Sequence, residues 1–274
     1  MMTLRTIFRV LLISFATFGF SGPKGLTKEP LRIVSDIDDT VKLSNSGSFF
    51  RQLYYGIFEE KAFSGMRMLY EALLGEAEYS QRLYFVTNAP TFLEPLKLKF
   101  LGNFNFPKKH LSLRNYFEYS SPLKYKSETI SQIMSEHEGN YILFGDNTEK
   151  DPEAYETVKL QFNHRVTEIY IHEVTSREIP NGQKSYLTAY DIAIDEYLKN
   201  RLTQVQVKRI GEEILKDSTR EEIQPAYAYC PPRFREPYHF GVSRFSQKFL
   251  KKYESLREIE SKIHEKIYHH CKTD

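Results

Sequence analysis

Three carboxylates lie within four positions of one short stretch, L-R-I-V-S-D-I-D-D-T (31–40): Asp36, Asp38 and Asp39. While the chain stays extended, Asp36 and Asp38 project to the same side and Asp39 to the other. Neighbouring carboxylates repel each other, and a divalent cation with oxygen ligands relieves that repulsion. The stretch therefore predicts either a metal-dependent chemical site or an acidic turn that caps a helix. It lacks the Gly and closing Glu of an EF-hand loop.

Polar side chains also follow two later apolar runs, and two lysines lie between those runs at the start of a predicted helix. The complete candidate set is Asp36, Asp38, Thr87, Asn88, Lys124, Lys126, Asp146 and Asp151. In an open parallel sheet, ligands bind beyond the carboxyl ends of the strands. Acids, a hydroxyl and a lysine at that edge suit a phosphoryl group held with Mg²⁺.

Short apolar runs alternate with amphipathic segments, which predicts a parallel α/β sheet with helices on both faces. The five predicted strands are 32–35, 82–86, 110–116, 141–144 and 166–174. Helices are predicted to be capped by Ser64, Ser127 and Asp151 and to carry Pro95 near a first turn. From about residue 190 the pattern is helical, broken by the proline-rich connector 225–237. The last helix carries an apolar stripe that we expect to pack on the catalytic domain, with coiled-coil dimerisation as the alternative.

The composition excludes one class of partner. A net charge of +2 and the absence of a dense Lys/Arg block argue against nucleic-acid binding. Trp, a common anchor at membrane surfaces, is absent. The aromatic segment Phe49–Phe63 could cover the site, touch a membrane transiently or pack in the core. If it touches lipid, weak and salt-insensitive vesicle binding should be lost when Phe49 and Phe50 become Ser.

The N-terminus has the layout of a secretory signal peptide. Arg5 and Arg9 precede the apolar run 10–20, and the small residues Ser21 and Gly22 follow it. We therefore expect residues 1–22 to be removed and the protein to be exported. The remaining organisation is a catalytic domain over residues 30–200 and a helical extension over 201–274. In an oxidising compartment Cys230 and Cys271 either form a disulfide or remain as two thiols.

The motifs resemble a known family. D-I-D-D-T, V-T-N-A-P, Lys126 and G-D-N-T-E-K-D-P-E resemble the four motifs of haloacid-dehalogenase-like (HAD-like) phosphohydrolases. More narrowly, D-I-D-D-T-V-K, H-L-S-L-R, Lys126 and G-D-N-T-E-K-D-P-E-A-Y look like the catalytic domain of the actin-patch-associated phosphatidate phosphatase family. The resemblance covers residues 31–174 and departs at Thr87, where relatives tend to have Ser. It implies a HAD-like, doubly wound, parallel five-stranded sheet with flanking helices and a C-terminal helical extension.

The resemblance also implies residue roles. Asp36 would attack phosphorus and form an aspartyl-phosphate, while Asp38 would protonate the leaving alkoxide and then deprotonate water. Mg²⁺ would be held by Asp36, the main-chain carbonyl of Asp38 and Asp146, with Asp151 in or near its shell. The alternative role for Asp151 is a helix cap.

Substrate contacts follow from the same resemblance. Thr87, Asn88 and Lys126 would bind the phosphoryl group, with Lys124 as the rival to Lys126. Asp39, Thr40 and Arg114 would fix the loop. The implied substrate is phosphatidate, hydrolysed to diacylglycerol. The alternatives are a soluble phosphomonoester such as a nucleotide or sugar phosphate, and a secreted protein that binds phosphate and Mg²⁺ without turnover.

Overall fold

The structure is a computed structural model that describes residues 29–44, 61–217, 220–223, 225, 228–238 and 250–271. The predicted signal peptide, residues 1–22, lies outside these ranges. So do Phe49 and Phe50, most of the aromatic segment that contains them, and Phe245 and Phe249 of the predicted apolar stripe.

A six-stranded parallel sheet forms the centre of the described chain, with strand order β3-β2-β1-β4-β5-β6. The strands are β1 (Leu31–Ser35), β2 (Leu83–Pro90), β3 (Leu111–Arg114), β4 (Asn140–Asp146), β5 (Val166–His172) and β6 (Lys184–Tyr186). The α/β parallel architecture and all five predicted strands are confirmed. The sixth strand was not predicted because its three residues, Lys-Ser-Tyr, carry no apolar alternation.

Nine α-helices flank the sheet among the described residues. They are α1 (Met66–Leu74), α2 (Tyr79–Arg82), α3 (Glu94–Asn103), α4 (Pro122–Glu136), α5 (Asp151–Gln161), α6 (Ala189–Leu198), α7 (Gln204–Asp217), α8 (Arg220–Ile223) and α9 (Leu250–Cys271). Short 3₁₀ turns cover Thr91–Leu93 and Pro232–Phe234. As predicted, Pro95 lies in the first turn of its helix, where the missing N–H costs nothing.

Three predicted helix caps are wrong. The N-cap residue of helix α1 is Gly65, which has a positive φ of 82°, so Ser64 does not cap this helix. Helix α4 is capped by Ser121, whose side chain accepts from the Lys124 N–H, and Ser127 lies inside the helix. Asp151 is the first residue of α5 rather than its cap. Ser64 and Asp151 miss the observed N-cap by one residue, whereas Ser127 misses it by six.

The C-terminal helices pack on the same hydrophobic core as the sheet. Ile33 of β1 and Ile210 of α7 belong to one buried cluster that also includes Leu256, Ile259, Ile263 and Ile267 of α9. A Cβ on Gly211 would lie 2.4 Å from Ile259, so this glycine allows α7 and α9 to cross closely. The described part of the apolar stripe on α9 therefore packs against the core of the same chain.

A disulfide joins Cys230, in the proline-rich connector, to Cys271, at the end of α9. Of the two alternatives for these cysteines, the structure shows the pair. Among the described helices, none combines the length and the apolar character that crossing a bilayer requires.

Candidate active site

Asp36 lies directly after β1, the strand flanked by β2 and β4. Its N–H donates to the Phe144 carbonyl of β4 at 2.9 Å, which continues the ladder and fixes the backbone at the carboxyl edge. Only 4% of the residue is exposed. The strand order therefore delivers one carboxylate, with a fixed backbone, to the place where open α/β sheets bind ligands.

Lys126 is the cation that faces Asp36. Its Nζ lies 3.0 Å from Asp36 Oδ1 and also contacts Asp151 Oδ1, and the side chain is 1% exposed. Burial alone would lower the pKa of Lys126, but the carboxylates of Asp151 and Asp36 raise that pKa well above its usual value. Lys126 therefore stays charged, and it stands in the second turn of α4.

Lys124, the rival lysine, is not at the site. Its side chain is 66% exposed and lies 3.8 Å from Glu128 on the same helix. Because Ser121 starts the helix, Lys124 and Lys126 point in different directions, and only Lys126 reaches the carboxyl edge.

Asp36, Asp146 and Asp151 form a buried acidic cluster. Each offers a carboxylate oxygen, and these oxygens all lie within 4.8 Å of one another. Burial raises the pKa of Asp36 and Asp146 well above the usual range, and the neighbouring carboxylates raise it further. Lys126 supplies a single positive charge against these three acids. The oxygen-only donor set and the uncompensated negative charge fit a hard divalent cation such as Mg²⁺.

Contacts with the end of β4 and with Lys126, rather than a helix-capping hydrogen bond, hold the Asp151 carboxylate in the cluster. Its Oδ2 accepts from the Asp146 N–H at 3.3 Å. A Cβ on Gly145 would lie 2.5 Å from that oxygen, so glycine is required there for the carboxylate to approach the strand end. Asp151 therefore touches both Lys126 and the end of β4.

Asp38 lies outside the acidic cluster and has its own cation. Lys97 Nζ on α3 lies 2.5 Å from Asp38 Oδ2, and the Thr87 hydroxyl donates to the same oxygen at 3.4 Å. Burial would raise the pKa of Asp38, but the positive charges of Lys97 and Lys42 outweigh burial and lower it. Asp38 is therefore ionised in the site as it stands.

The two strand-end loops on either side of β1 meet across the site. Asn88 Nδ2 donates to Glu149 Oε2 at 2.5 Å, and Arg177 donates to the Glu149 carbonyl. Asn147 Nδ2 donates to the Thr175 carbonyl at 2.8 Å, tying the loop after β4 to the loop after β5. These contacts tie the end of β2 and the loops after β4 and β5 to one another at the carboxyl edge of the sheet.

Asp39 and Thr40, in the loop that follows the acids, are fully buried. Asp39 has a positive φ of 55°, and its Oδ1 accepts from the Ser44 N–H at 3.1 Å. His172 Nδ1 donates to the Asp39 carbonyl at 2.6 Å, and burial lowers the pKa of His172. Arg114 lies at the end of β3, 3.7 Å from the Tyr116 ring centroid.

The structure brings together all the predicted site residues except Lys124, and it adds others that the sequence did not indicate. Lys97, Lys42 and Glu149 were missed. Lys97 lies in the run L-K-L-K-F of a predicted helix. A lysine in such a segment is ordinarily expected on the solvent-exposed face. Only the position of α3 beside the loop of Asp38 reveals its partner.

Comparisons with known proteins give a consistent family. The family described as "Phosphatidate phosphatase APP1, catalytic domain" matches residues 31–173. The Saccharomyces cerevisiae protein named Phosphatidate phosphatase APP1 is 29% identical over 150 residues, which is 51% of this chain and 25% of the yeast protein. An uncharacterised protein of Schizosaccharomyces pombe is 26% identical over 163 residues, 55% of this chain and 26% of that protein.

Solved structures with some likeness include the class C acid phosphatase from Bacillus anthracis with tungstate bound. That likeness has a TM-score of 0.34 and 16% identity, and covers 70% of this chain and 82% of the bacterial chain. The matched region spans only about a quarter of the two fungal relatives. Since the family match covers more than half of the sequence and includes Asp36, Lys126 and the other carboxylates of the acidic cluster, this chain belongs to the phosphatidate phosphatase APP1 catalytic domain family.

Proposed function

We propose that the protein is a Mg²⁺-dependent phosphatase that hydrolyses a phosphomonoester through an aspartyl-phosphate on Asp36. The single observation that carries the proposal is the position of Asp36, buried at the end of the central strand, 3.0 Å from Lys126 and within an acidic cluster. The family membership supports the same activity.

In the first step a carboxylate oxygen of Asp36 attacks phosphorus and the bond from phosphorus to the alkoxy oxygen breaks. The leaving oxygen takes a proton at the position of Asp38. Because Asp38 is ionised beside Lys97, that proton arrives with the phosphate monoanion and passes through Asp38 Oδ2. Lys126 and Thr87 donate to the phosphoryl oxygens as negative charge shifts onto them.

In the second step Asp38 accepts a proton from water, the resulting hydroxide attacks phosphorus, and Asp38 then releases that proton to solvent. The bond between phosphorus and Asp36 then breaks, which releases inorganic phosphate and restores the Asp36 carboxylate. Asn88, held by Glu149, borders the site and orients the phosphoryl group. Asp151 holds Lys126 in place through both steps.

Mg²⁺ would be held by Asp36, Asp146 and the main-chain carbonyl of Asp38, with Asp151 in or near its shell, and when bound supplies positive charge to the carboxylates and phosphate oxygens. Its charge favours the ionised form of Asp36, which burial disfavours.

The substrate we propose first is phosphatidate, with diacylglycerol as the product. The support is the yeast relative named Phosphatidate phosphatase APP1. A soluble phosphomonoester is the alternative substrate, since the geometry of the phosphoryl site does not depend on the leaving group.

The test is phosphate release by the purified protein from phosphatidate in mixed micelles and from soluble phosphomonoesters, each with and without Mg²⁺. We expect turnover that requires Mg²⁺ and favours phosphatidate. Fast turnover of soluble esters with none of phosphatidate would assign a soluble substrate. No turnover of any ester, with the fold intact, would contradict the proposed activity.

We also propose that the protein is exported after cleavage near Ser21–Gly22. The disulfide between Cys230 and Cys271 supports this, because disulfides persist in oxidising compartments. Mass spectrometry of the protein from its native cell should find an N-terminus between about residues 20 and 26, a window that allows for the cleavage rule. An intact Met1 on a cytoplasmic protein would contradict the proposal.

A further inference from the structure

Three exposed aromatic side chains stand at the carboxyl edge of the sheet, and we call them the aromatic rim: Phe92, Tyr116 and Phe117. Their exposed fractions are 68%, 48% and 103%. Phe92 follows β2, while Tyr116 and Phe117 follow β3. Because Pro90 pairs with Arg114 across these two strands, the two loops leave the sheet side by side.

The aromatic rim is continuous with the phosphoryl site. The Tyr116 hydroxyl donates to the Asn88 carbonyl at 3.4 Å, and Asn88 in turn donates to Glu149 beside the acidic cluster. Thr87, one residue earlier, donates to Asp38. The Tyr116 ring of the rim therefore lies next to the carboxyl edge from which a phosphate would reach Asp36.

The rim differs from the other exposed apolar side chains of the described residues. Those are aliphatic and lie on helices: Leu160 on α5, Leu198 on α6 and Val205 on α7. Leu160 and Leu198 lie at the ends of their helices. Isolated exposed apolar residues are ordinary, whereas grouped aromatic rings beside a site mark an interaction surface.

Arg114, whose guanidinium packs against Tyr116 of the rim, has N–H donors that are not used in the described structure. Arg114 is 6% exposed, and its guanidinium lies 3.7 Å from the Tyr116 ring centroid. Within the part of the chain that the structure describes, its Nε and Nη1 have no hydrogen-bond partner. Buried donors without acceptors are costly, so this arrangement favours a ligand that brings oxygen acceptors and negative charge. Phosphate oxygens match both requirements.

We propose that the aromatic rim docks on the surface of a phospholipid aggregate, with Arg114 taking a phosphate oxygen of an anionic lipid. This proposal rests on the proposed phosphatase function and specifies how the enzyme reaches a lipid substrate. Phe92 and Phe117 enter the boundary between headgroups and acyl chains, where aromatic rings are favoured. Tyr116, half exposed, turns aside and gives its place over the guanidinium to the headgroup.

The experiment is vesicle sedimentation of the full chain with phosphatidylcholine vesicles and with phosphatidylcholine–phosphatidylglycerol vesicles. Neither lipid carries a phosphomonoester, so binding is measured apart from turnover. The test variant is Phe92→Ser/Phe117→Ser, and the matched control is Leu160→Ser/Leu198→Ser, which removes exposed apolar side chains away from the rim. Melting temperatures should be equal, because all four side chains are exposed.

We expect the wild type and the control to bind both vesicles and the rim variant to bind about tenfold more weakly or worse. Phosphatidate turnover in mixed micelles should fall in parallel in the rim variant alone. The wild type should bind the anionic vesicles about fivefold more tightly at low salt, the effect of one cation near an anionic surface.

Equal binding by the rim variant and the control, or no binding by the wild type, would overturn the docking surface. Equal wild-type affinity for the two vesicles would overturn the role of Arg114. The failure of the phosphatase function and the failure of the docking surface can be told apart. Vesicle binding without turnover of any phosphomonoester contradicts the phosphatase function. Turnover without rim-dependent binding contradicts only the docking surface.

Discussion

Lys97 Nζ lies 2.5 Å from Asp38 Oδ2, and both side chains are largely buried. The lysine comes from α3, so the helix that follows β2 delivers a cation to the loop that follows β1. This ion pair gives Asp38 an electrostatic environment different from that of Asp36. Burial and neighbouring acids raise the pKa of Asp36, whereas the cations beside Asp38 lower its pKa. Different environments thus assign different roles to two acids two residues apart.

Lys97→Met should slow the enzyme and change its pH dependence. Without the lysine, the pKa of Asp38 rises, so the ionised form needed to deprotonate water is lost at a higher pH. We expect kcat to fall by roughly tenfold or more and the acid limb of the pH–kcat profile to move upward. The control is Lys99→Met, which removes an exposed lysine from the same helix. An unchanged acid limb in Lys97→Met would contradict the role of this ion pair.

Asp38→Asn should separate the two chemical steps. With p-nitrophenyl phosphate the leaving group needs little protonation, so Asp36 still forms the aspartyl-phosphate and one equivalent of p-nitrophenol is released in a burst. Hydrolysis of the intermediate then lacks its base, and the steady-state rate should fall by about 10²–10⁴-fold. Stopped-flow absorbance measures both phases. A lost burst together with a lost steady state would place Asp38 in the first step with this substrate as well.

Asp36→Asn should abolish turnover, because the amide cannot form the aspartyl-phosphate. We expect a fall of several orders of magnitude in kcat. Removing a carboxylate from a repelling, buried cluster also relieves unfavourable charge, so the melting temperature without metal should not fall. Circular dichroism and phosphate release check the two halves. Near-wild-type turnover would show that the nucleophile is a different residue.

The sequence predicted the sheet well because its strands are short apolar runs with polar ends. Each member of one polar set follows a predicted strand, and these residues could be assigned to one edge because parallel strands share their carboxyl edge: Asp36, Thr87, Asn88 and Asp146. The same logic could not find Lys97. A lysine on an amphipathic helix carries no periodic signal of its own, and its partner is 59 positions away.

Helix boundaries were the least predictable feature. The hydroxyl of Ser127 is of the type that caps helices. Ser121 nevertheless caps α4, because Pro122 fits the first helical position. Asp151 precedes a proline in the same manner, but its carboxylate turns toward Lys126 and the end of β4 instead of its own helix. The first case follows from a local proline pattern, whereas tertiary contacts decided the second, and no local pattern contains those contacts.

Removing the disulfide should destabilise the C-terminal packing. The bond between Cys230 and Cys271 closes a separation of 41 residues, which in the chain-entropy description corresponds to about 4 kcal/mol of unfolding free energy. We expect Cys230→Ser/Cys271→Ser to lose an amount of that order in urea denaturation. Reduced wild-type protein is the control and should match the variant, which is itself insensitive to reductant. Identical stability with and without reductant in the wild type would contradict the prediction.

A partly exposed charge network beside β5 and β6 gives a prediction about pH. Asp195 Oδ2 accepts from Lys199 at 2.7 Å, from Lys184 at 2.9 Å and from the Tyr170 hydroxyl at 2.5 Å, and its side chain is 20% exposed. Burial alone would raise the pKa of Asp195, but these hydrogen bonds lower it from 3.8 to about 2. At about 1.4 kcal/mol per pH unit, that difference corresponds to about 2 kcal/mol of stability.

Asp195→Asn should therefore be destabilised at neutral pH and much less so in acid. A lowered folded-state pKa gives stability that is fully present above the unfolded value near 3.8 and is lost as the pH falls toward about 2. We expect urea denaturation to show a deficit of about 2 kcal/mol at pH 7 that shrinks markedly by about pH 3. Glu258→Gln is the control, because its pair with Lys262 is fully exposed, and it should change little at either pH. A deficit that stayed constant between the two pH values would show that Asp195 acts through packing or neutral hydrogen bonds, since only an ionised carboxylate loses its contribution on protonation.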